Sequence, residues 1–348
     1  MDIDMKRNVI LMVLLLFLFA GCGQTVSSNA TVSPDPESVE TESSIEPVPE
    51  NPESVEEDSF EQEDNFYDDG KNEFTKEIVV DVPGKLDRVY KYYILNDTHL
   101  FVPDDEIKDE YKDLVTNRIA EYSLDGVPSS ECFEDWIKKL DTKHLDGVIL
   151  NGDIIDQLSL ANLNHVKKCM DKVDIPWMYL QSDHDRAQDW VEVSEEDYSK
   201  ITELQEEMDL NRGVYIWEED EFIILGINKP WESISWWTLN EIKAVWNLGK
   251  PIILFSHVPY DSSVSNELAE KSAELKNGDI LLWGWGTRYL PDSNMEEFMY
   301  MLYDSASPVV AIISAHLHID YEGTLNGTIP LYVIDTAYGG TRTVLKIK

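Results

Sequence analysis

The feature that most constrains the fold is a repeated unit, in which a short apolar run leads directly into a loop containing Asp or His. The runs are residues 90–95, 148–150, 176–180, 252–255 and 309–314. Each has the length and side chains of a buried strand, and residues 222–227 form another such run. Helical patterns at 130–139, 158–173, 238–248 and 295–303 separate the runs. This alternation predicts a layered α/β fold with a mainly parallel core, and residues 321–348 predict a more antiparallel end.

The polar residues of these loops form one candidate site. They are Asp97, His99, Asp153, Asp183, His184, Asp185, His257, His316 and His318. Ligands gather at the carboxyl ends of strands in α/β sheets, so we expect the loops to converge on one cleft. The chain has seven histidines, and five of them lie in these loops. Imidazole nitrogen and carboxylate oxygen suit Mn, Fe, Zn or Co, whereas calcium prefers oxygen alone.

The order of these motifs, D-x-H, G-D-x-x-D, S-D-H-D, a strand-end H and A-H-x-H, resembles that of the calcineurin-like metallophosphoesterases. The resemblance spans residues 90–318. It implies a four-layer α/β sandwich with two divalent metal ions, in which a metal-bound hydroxide attacks phosphorus. The ligands it implies are Asp97, His99, Asp153 and His318 for one ion, and Asp153, Asp183, His257 and His316 for the other. His184 would contact the phosphate and protonate the leaving oxygen, and Asp185 would orient the His184 ring.

Three residues depart from the pattern of that family. Ser182 and Ala315 replace glycines, and Asp183 stands where the family usually has Asn. With Asp183 ionised, three carboxylates face two divalent ions, which leaves a net charge of +1 rather than +2. We therefore expect a phosphodiester monoanion to be favoured over a phosphomonoester dianion. A phosphomonoesterase (a nucleotidase or phosphoprotein phosphatase) and a non-catalytic metal-binding or sensing lipoprotein remain open alternatives.

Four residues are candidates for contacting a small phosphoester substrate: Tyr260, Trp285, Arg288 and Arg186. Trp285 and Arg288 belong to a Gly-rich segment between the fourth and fifth motifs, where a substrate wall and ordinary packing both fit. Asp156 closes the G-D-x-x-D motif, and it either caps the following helix or has a polar role in the site.

The N-terminus predicts export. Lys6 and Arg7 precede an apolar run that ends in Gly21-Cys22, which is typical of a signal peptide over residues 1–21. The cysteine after Phe-Ala-Gly is similar to the lipidation site of bacterial lipoproteins, so Cys22 is expected to carry a membrane anchor. An uncleaved membrane anchor is the alternative. Both place the chain outside the cytoplasmic membrane and attached to it.

Two further segments follow the predicted signal peptide. Residues 22–78 are rich in Pro, Ser, Glu and Asp, and no Lys or Arg occurs between Arg7 and Lys71. Such a composition predicts a disordered acidic linker, followed by a catalytic domain over residues 79–348. Residues 71–348 carry 26 basic and 51 acidic side chains, a formal net charge of −25. This balance argues against long nucleic acid as a partner.

Beyond Cys22, only Cys132 and Cys169 occur. Their spacing matches no zinc or redox motif, and whether they pair is left open.

Overall fold

The computed structural model describes residues 72–228, 233–262 and 264–348. The predicted signal peptide, Cys22 and the linker up to residue 71 lie outside these ranges. Within the described ranges, no helix combines the length and the apolar content needed to cross a membrane.

Two mixed sheets form the centre of the fold. The first sheet has the strand order β1-β11-β2-β3-β4. Its strands are β1 (Lys76–Val80), β2 (Tyr90–Leu95), β3 (Gly147–Asn151), β4 (Trp177–Leu180) and β11 (Thr343–Ile347). Strands β2, β3 and β4 run parallel, and the register places Ile94 beside Ile149 and Ile149 beside Met178. The loops after these three strands therefore emerge at the same edge of the sheet.

The second sheet has the strand order β5-β6-β7-β8-β10-β9. Its strands are β5 (Val214–Glu218), β6 (Ile223–Ile227), β7 (Ile252–Phe255), β8 (Val309–Ser314), β9 (Tyr321–Leu325) and β10 (Ile329–Val333). Strands β6, β7, β8 and β10 are parallel, whereas β5 and β9 pair antiparallel at the edges. The loops after β7 and β8 carry the remaining histidines of the candidate site.

Helices cover the outer face of each sheet. The described helices are α1 (Lys112–Glu121), α2 (Ser129–Lys139), α3 (Leu160–Met170), α4 (Glu195–Glu207), α5 (Trp236–Trp246), α6 (Glu267–Leu275) and α7 (Ser293–Tyr303). One apolar core packs α2, α3 and α4 against the first sheet, and another packs α5, α6 and α7 against the second. A third core fills the space between the sheets, with Ile94 and Ile149 on one side and Phe255 and Ile313 on the other. The order helix, sheet, sheet, helix confirms the predicted four-layer α/β sandwich.

The predicted strands and helices agree with the structure to within a few residues, with some omissions. The sequence reading gave no element for β1, β5, α1, α4 or α6. Strand β1 begins at Lys76 and pairs with β11, so the ordered domain starts before the predicted boundary at residue 79. Cys132 and Cys169 are buried on α2 and α3 and are not bonded to each other.

Candidate metal centre

The loops of the candidate site have unusual backbone conformations. Five of their residues lie in the left-handed region of positive φ: Asp97, His99, Asp153, His316 and His318. Their φ angles range from 43° at His99 to 69° at His316. Non-glycine residues rarely adopt this region, in which Asp, Asn and His are the most common, and surrounding contacts hold them there. The sharp turns at the strand ends therefore indicate that the fold holds these side chains in position.

Backbone contacts between neighbouring loops fix the first two motifs together. Asp97 N donates to Gly152 O and His99 N donates to Asp153 O, each at 2.9 Å. Gly152 has a φ of +85°, and a Cβ on it would lie 2.3 Å from Nδ1 of His257. Only glycine therefore fits between the second loop and the His257 ring.

The structure brings the seven predicted ligands into two groups. One nitrogen or oxygen atom from each member lies within 4.8 Å of those of the others in its group. The groups are Asp153, Asp183, His257 and His316, and Asp97, His99 and His318. The first group contains all four ligands predicted for one ion, and the second contains three of the four predicted for the other, without Asp153. Each group has the donor set expected for a divalent transition ion.

Asp153 lies between the two groups. Its Oδ2 is 3.1 Å from Nε2 of His257 in one group and 3.8 Å from Nε2 of His99 in the other. Ser182 Oγ donates to the second oxygen, Oδ1, and also accepts from Asp153 N at 2.9 Å. The serine that replaces a glycine therefore orients the carboxylate so that Oδ2 faces both groups.

Several polar atoms of the centre are buried without a hydrogen-bond partner among the described residues. They are Oδ1 of Asp97, Oδ1 of Asp183 and Nε2 of His257, the last of which lies 3.1 Å from Oδ2 of Asp153 without forming a hydrogen bond. A buried polar atom without a partner costs about 1–3 kcal/mol, so such atoms rarely occur together without a ligand. Their chemistry suits cations, because a carboxylate oxygen and an imidazole lone pair both donate electrons. The residues present therefore fit a pair of divalent metal ions.

Hydrogen bonds to the outer ring nitrogens leave the inner nitrogens of three histidines directed at the centre. His257 Nδ1 donates to Asn151 O at 2.7 Å, which leaves Nε2 as the inner atom. His316 Nε2 contacts the hydroxyl of Tyr289, and His318 Nδ1 contacts that of Tyr338, each at 3.0 Å. Partners of this kind fix the ring orientation and the tautomer of metal-binding histidines.

The electrostatics of the metal-free centre show that it needs positive charge. Burial lowers the pKa of His257, but Asp153 and Asp97 raise it to about 10. Burial and then the charge of His257 lower the pKa of His316 to about 3. Burial and then Asp153 raise the pKa of Asp183 to about 6. Without metal, the acids thus hold a proton on His257 and raise the proton affinity of Asp183, and a cation would supply the positive charge instead.

His184 is oriented by a different acid from the one predicted. Its Nδ1 lies 3.0 Å from Oδ1 of Asp156 and 3.2 Å from the Asp156 carbonyl oxygen. The prediction that Asp185 orients the ring is therefore wrong. The reason is geometric: residues 184–186 form a short 3₁₀ turn, which turns Asp185 away from its neighbour and into the protein.

Asp185 instead organises the surrounding backbone. Its carboxylate accepts hydrogen bonds from the backbone N–H groups of Asp153, Ile154, Ile155 and Ser182, at 2.8–3.0 Å. It also accepts one from the Tyr179 hydroxyl at 2.5 Å. Asp185 is fully buried and holds the second loop against the third, so it supports the centre without reaching the substrate side.

Asp156 connects three functional side chains. Its Oδ1 lies 3.1 Å from His99 Nδ1, and the Arg118 guanidinium donates to both carboxylate oxygens at 2.6 Å. Burial raises the pKa of Asp156, but hydrogen bonds from Arg118, His184 and His99 lower it far below its ordinary value. Asp156 therefore takes the polar role in the site that the sequence left open.

Sequence reasoning missed several partners of the ligands, namely Arg118, Tyr122, Tyr289 and Tyr338. Arg118 and Tyr122 are contributed by α1 and the residue after it, and Tyr122 stacks on His99 with ring centres 4.6 Å apart. None of the four belongs to a strand-end motif, so the pattern that found the ligands had no means of finding them.

The four substrate-contact candidates have different outcomes. The prediction that Tyr260 contacts the substrate is wrong, because its ring is fully buried in the outer core of the second sheet and packs against Phe298. Arg186 lines a cleft of about 360 Å³ together with Asp183 and His184. Trp285 is 46% exposed and packs on α7, and Arg288 is exposed, so both stay predictions.

No protein-family model matches this sequence, and no curated protein matches it. Among solved structures, a dimetal phosphatase from Danio rerio aligns over 72% of this chain and 88% of its own, with 13% identity and a TM-score of 0.46. The phosphopantetheinyl hydrolase of Mycobacterium tuberculosis aligns over 74% and 90%, with 10% identity and a TM-score of 0.35. A putative 5'-nucleotidase of Staphylococcus aureus aligns over 74% of this chain and 51% of its own, with 12% identity and a TM-score of 0.32. Each is a distant likeness.

Proposed function

We propose that this protein is a hydrolase that cleaves phosphoesters with the help of two divalent metal ions. The observation that carries the proposal is the pair of Asp/His groups around Asp153, with their buried and unpartnered donor atoms turned inward. When bound there, two such ions would lower the pKa of a coordinated water and neutralise charge on the phosphoryl oxygens.

The side chains at the edge of the centre define where a substrate enters. His184 and His318 have side chains that are 29% and 24% exposed, whereas those of His99 and His257 are buried. A phosphoryl group would therefore approach from the side of His184 and His318. Asp153 and Asp97 are buried, so their carboxylates do not contact solvent.

His184 is the candidate general acid. Asp156 holds its Nδ1, so Nε2 is the nitrogen available to a leaving oxygen. Burial lowers the pKa of His184, but Asp153, the hydrogen bond to Asp156 and the charge of Asp183 raise it to about 10. The Asp156 carboxylate that holds Nδ1 favours the protonated ring, and Nε2 can donate its proton as the phosphoester bond breaks.

Asp183 favours a phosphodiester over a phosphomonoester. Three carboxylates, Asp97, Asp153 and Asp183, would share two divalent ions, so the centre keeps about one positive charge for the substrate. A monoester dianion brings more negative charge next to these acids than a diester monoanion does. The net negative charge of the domain also repels a dianion more strongly than a monoanion.

The proposed reaction is tested with two esters of the same leaving group, methyl 4-nitrophenyl phosphate and 4-nitrophenyl phosphate. With Mn(II), we expect a higher kcat/KM for the diester. Asp183→Asn should keep both ions and shift the ratio toward the monoester by about fivefold or more, the effect of one nearby charge in a well-solvated site. Loss of the second ion in this variant would show that the charge serves metal binding instead.

Variants in the centre and outside it control this assay. His257→Ala and Asp153→Asn should abolish hydrolysis of both esters, whereas His144→Ala should not, because His144 is exposed and belongs to neither group. Unchanged activity in both centre variants would refute the mechanism. Bound Mn(II) without hydrolysis of any phosphoester would favour a binding or sensing role.

We further propose that the chain is exported and anchored through lipidated Cys22, as its N-terminal sequence predicts. Metabolic labelling with a fatty acid, compared between the natural chain and Cys22→Ala, tests this directly. Equal labelling of the two would contradict it.

A further inference from the structure

A cleft beside His184 has a wall that the sequence did not reveal. The cleft encloses about 360 Å³ and is lined by Gln157, Asp183, His184, Arg186, Ala187, Asp189 and Trp190. Two of these residues, Asp183 and His184, also belong to the candidate centre or touch it. The cleft is therefore continuous with the place where a phosphoryl group would bind.

The position of His184 identifies which part of a substrate the cleft would receive. Asp156 engages Nδ1 of His184, so a proton for the leaving oxygen comes from Nε2. The leaving alcohol would then lie beside the His184 ring, which lines the cleft. It is a candidate subsite for the leaving group.

Trp190 is held in place before any substrate binds. The Arg118 guanidinium lies over its ring, 4.6 Å from the ring centre, and the same guanidinium anchors Asp156. Trp190 N donates to Gln157 Oε1 and Trp190 O accepts from Lys108 N, both at 3.1 Å. A ring fixed in this way loses little entropy when a ligand packs against it.

The charges around the cleft oppose one another. Arg186 is positive, whereas Asp183 and Asp189 are acidic. A strongly charged leaving group would therefore gain little binding energy from this surface. The distinguishing feature of the cleft is the aromatic ring of Trp190. Uncharged planar rings bind aromatic side chains by stacking.

We propose that Trp190 is the stacking surface for a planar, uncharged aromatic or heteroaromatic ring on the leaving alcohol. This inference rests on the proposed phosphoesterase function and narrows its substrate class. Stacking of a base on an aromatic side chain changes affinity by about tenfold. The substrate would thus be an ester whose leaving alcohol carries such a ring close to its oxygen.

Two phosphodiesters that differ only in the planarity of one ring test the proposal: methyl benzyl phosphate and methyl cyclohexylmethyl phosphate. Both release a primary alcohol of similar size, and the preference is measured against that of Trp190→Leu, so the difference in leaving-group acidity cancels. With the Mn-loaded full chain, we expect kcat/KM to favour the benzyl ester by about tenfold, in line with one stacked ring. Trp190→Leu should remove this preference, and Trp190→Phe should retain it.

A control variant and a binding measurement complete the design. Trp236→Leu alters a tryptophan that is 58% exposed on α5, and it should leave the benzyl preference intact. Calorimetry should show tighter binding of benzylphosphonate than of cyclohexylmethylphosphonate, with the difference lost in Trp190→Leu. The proposal is overturned if the natural chain treats the two rings alike, or if Trp190→Leu keeps the preference. A binding preference that depends on Trp190, without hydrolysis of any phosphoester, would support the subsite and refute the proposed function.

Discussion

Replacing Asp183 by Asn should stabilise the metal-free protein at neutral and higher pH. The carboxyl is largely buried, and Oδ1 has no hydrogen-bond partner among the described residues. Burial and then Asp153 raise its pKa to about 6. The folded state therefore binds this proton more tightly than the unfolded chain, in which an aspartate titrates near pKa 3.9. Ionised Asp183 thus destabilises the folded state.

The size of this effect follows from the shift in pKa. A shift of roughly 2 units at 1.36 kcal/mol per unit gives about 3 kcal/mol. Protonation of Asp183 contributes fully to the free energy of unfolding below the pKa of Asp183 in the unfolded chain. This contribution is lost as the pH rises through about 6. Asn has the same shape without the charge, so Asp183→Asn should gain up to this amount at about pH 8 and almost nothing at about pH 4.

Urea unfolding in the presence of a chelator measures the difference between the two proteins at each pH. The other titrating groups are common to both proteins, so the difference reports the charge of residue 183 together with its interaction with His184 and His257. Asp189→Asn is the matched control, because Asp189 is an exposed acid of the same loop region and should give no gain. A variant that is no more stable than the natural protein near pH 8, or equally favoured at both pH values, would refute this reasoning.

Three further variants probe the surroundings of the centre. Asp185→Asn should lower the free energy of unfolding by about 2–3 kcal/mol, because the buried carboxylate accepts four backbone hydrogen bonds, and an unchanged urea midpoint would count against that role. Arg118→Met should slow the hydrolysis of alkyl esters about tenfold more than that of 4-nitrophenyl esters, because poor leaving groups depend most on the proton of His184. Equal slowing of both reactions would indicate a purely structural effect. Tyr338→Phe should weaken the binding of one Mn(II) by about tenfold, and Tyr289→Phe should weaken the binding of the other to the same extent, as measured by calorimetry. Two unchanged affinities would show that these hydroxyls do not orient His318 and His316.

The ligands of the centre could be predicted because each follows an apolar run at a strand end. Parallel strands bring their carboxyl ends to one edge of a sheet, so Asp97, Asp153 and Asp183 had to approach one another once the strands were recognised. The same logic brought in His257 and His316 from the second sheet. The layered fold followed from the alternation of apolar runs with helical patterns.

Other elements left too weak a pattern in the sequence. Helices α1 and α4 each bury one residue, Val115 and Ile201, so neither shows an apolar stripe. Missing α1 also hid Arg118, which reaches Asp156 across 38 residues of sequence.

The choice between Asp156 and Asp185 as the partner of His184 depended on a turn, not on residue type. Either carboxylate could bond the ring, and only the 3₁₀ turn at residues 184–186 decides between them. Ser182 shows the converse case. Its substitution for glycine was visible in the sequence, but its contact with Asp153 required the folded structure.

The central claim is that two ions bind in adjacent groups that share Asp153. Calorimetric titration of the metal-free protein with Mn(II) tests this most directly. Two ions per chain are expected for the natural protein and for His144→Ala, and one for His257→Ala, because His257 belongs to a single group. A stoichiometry of one or none in the natural protein, or two ions retained in His257→Ala, would contradict the claim.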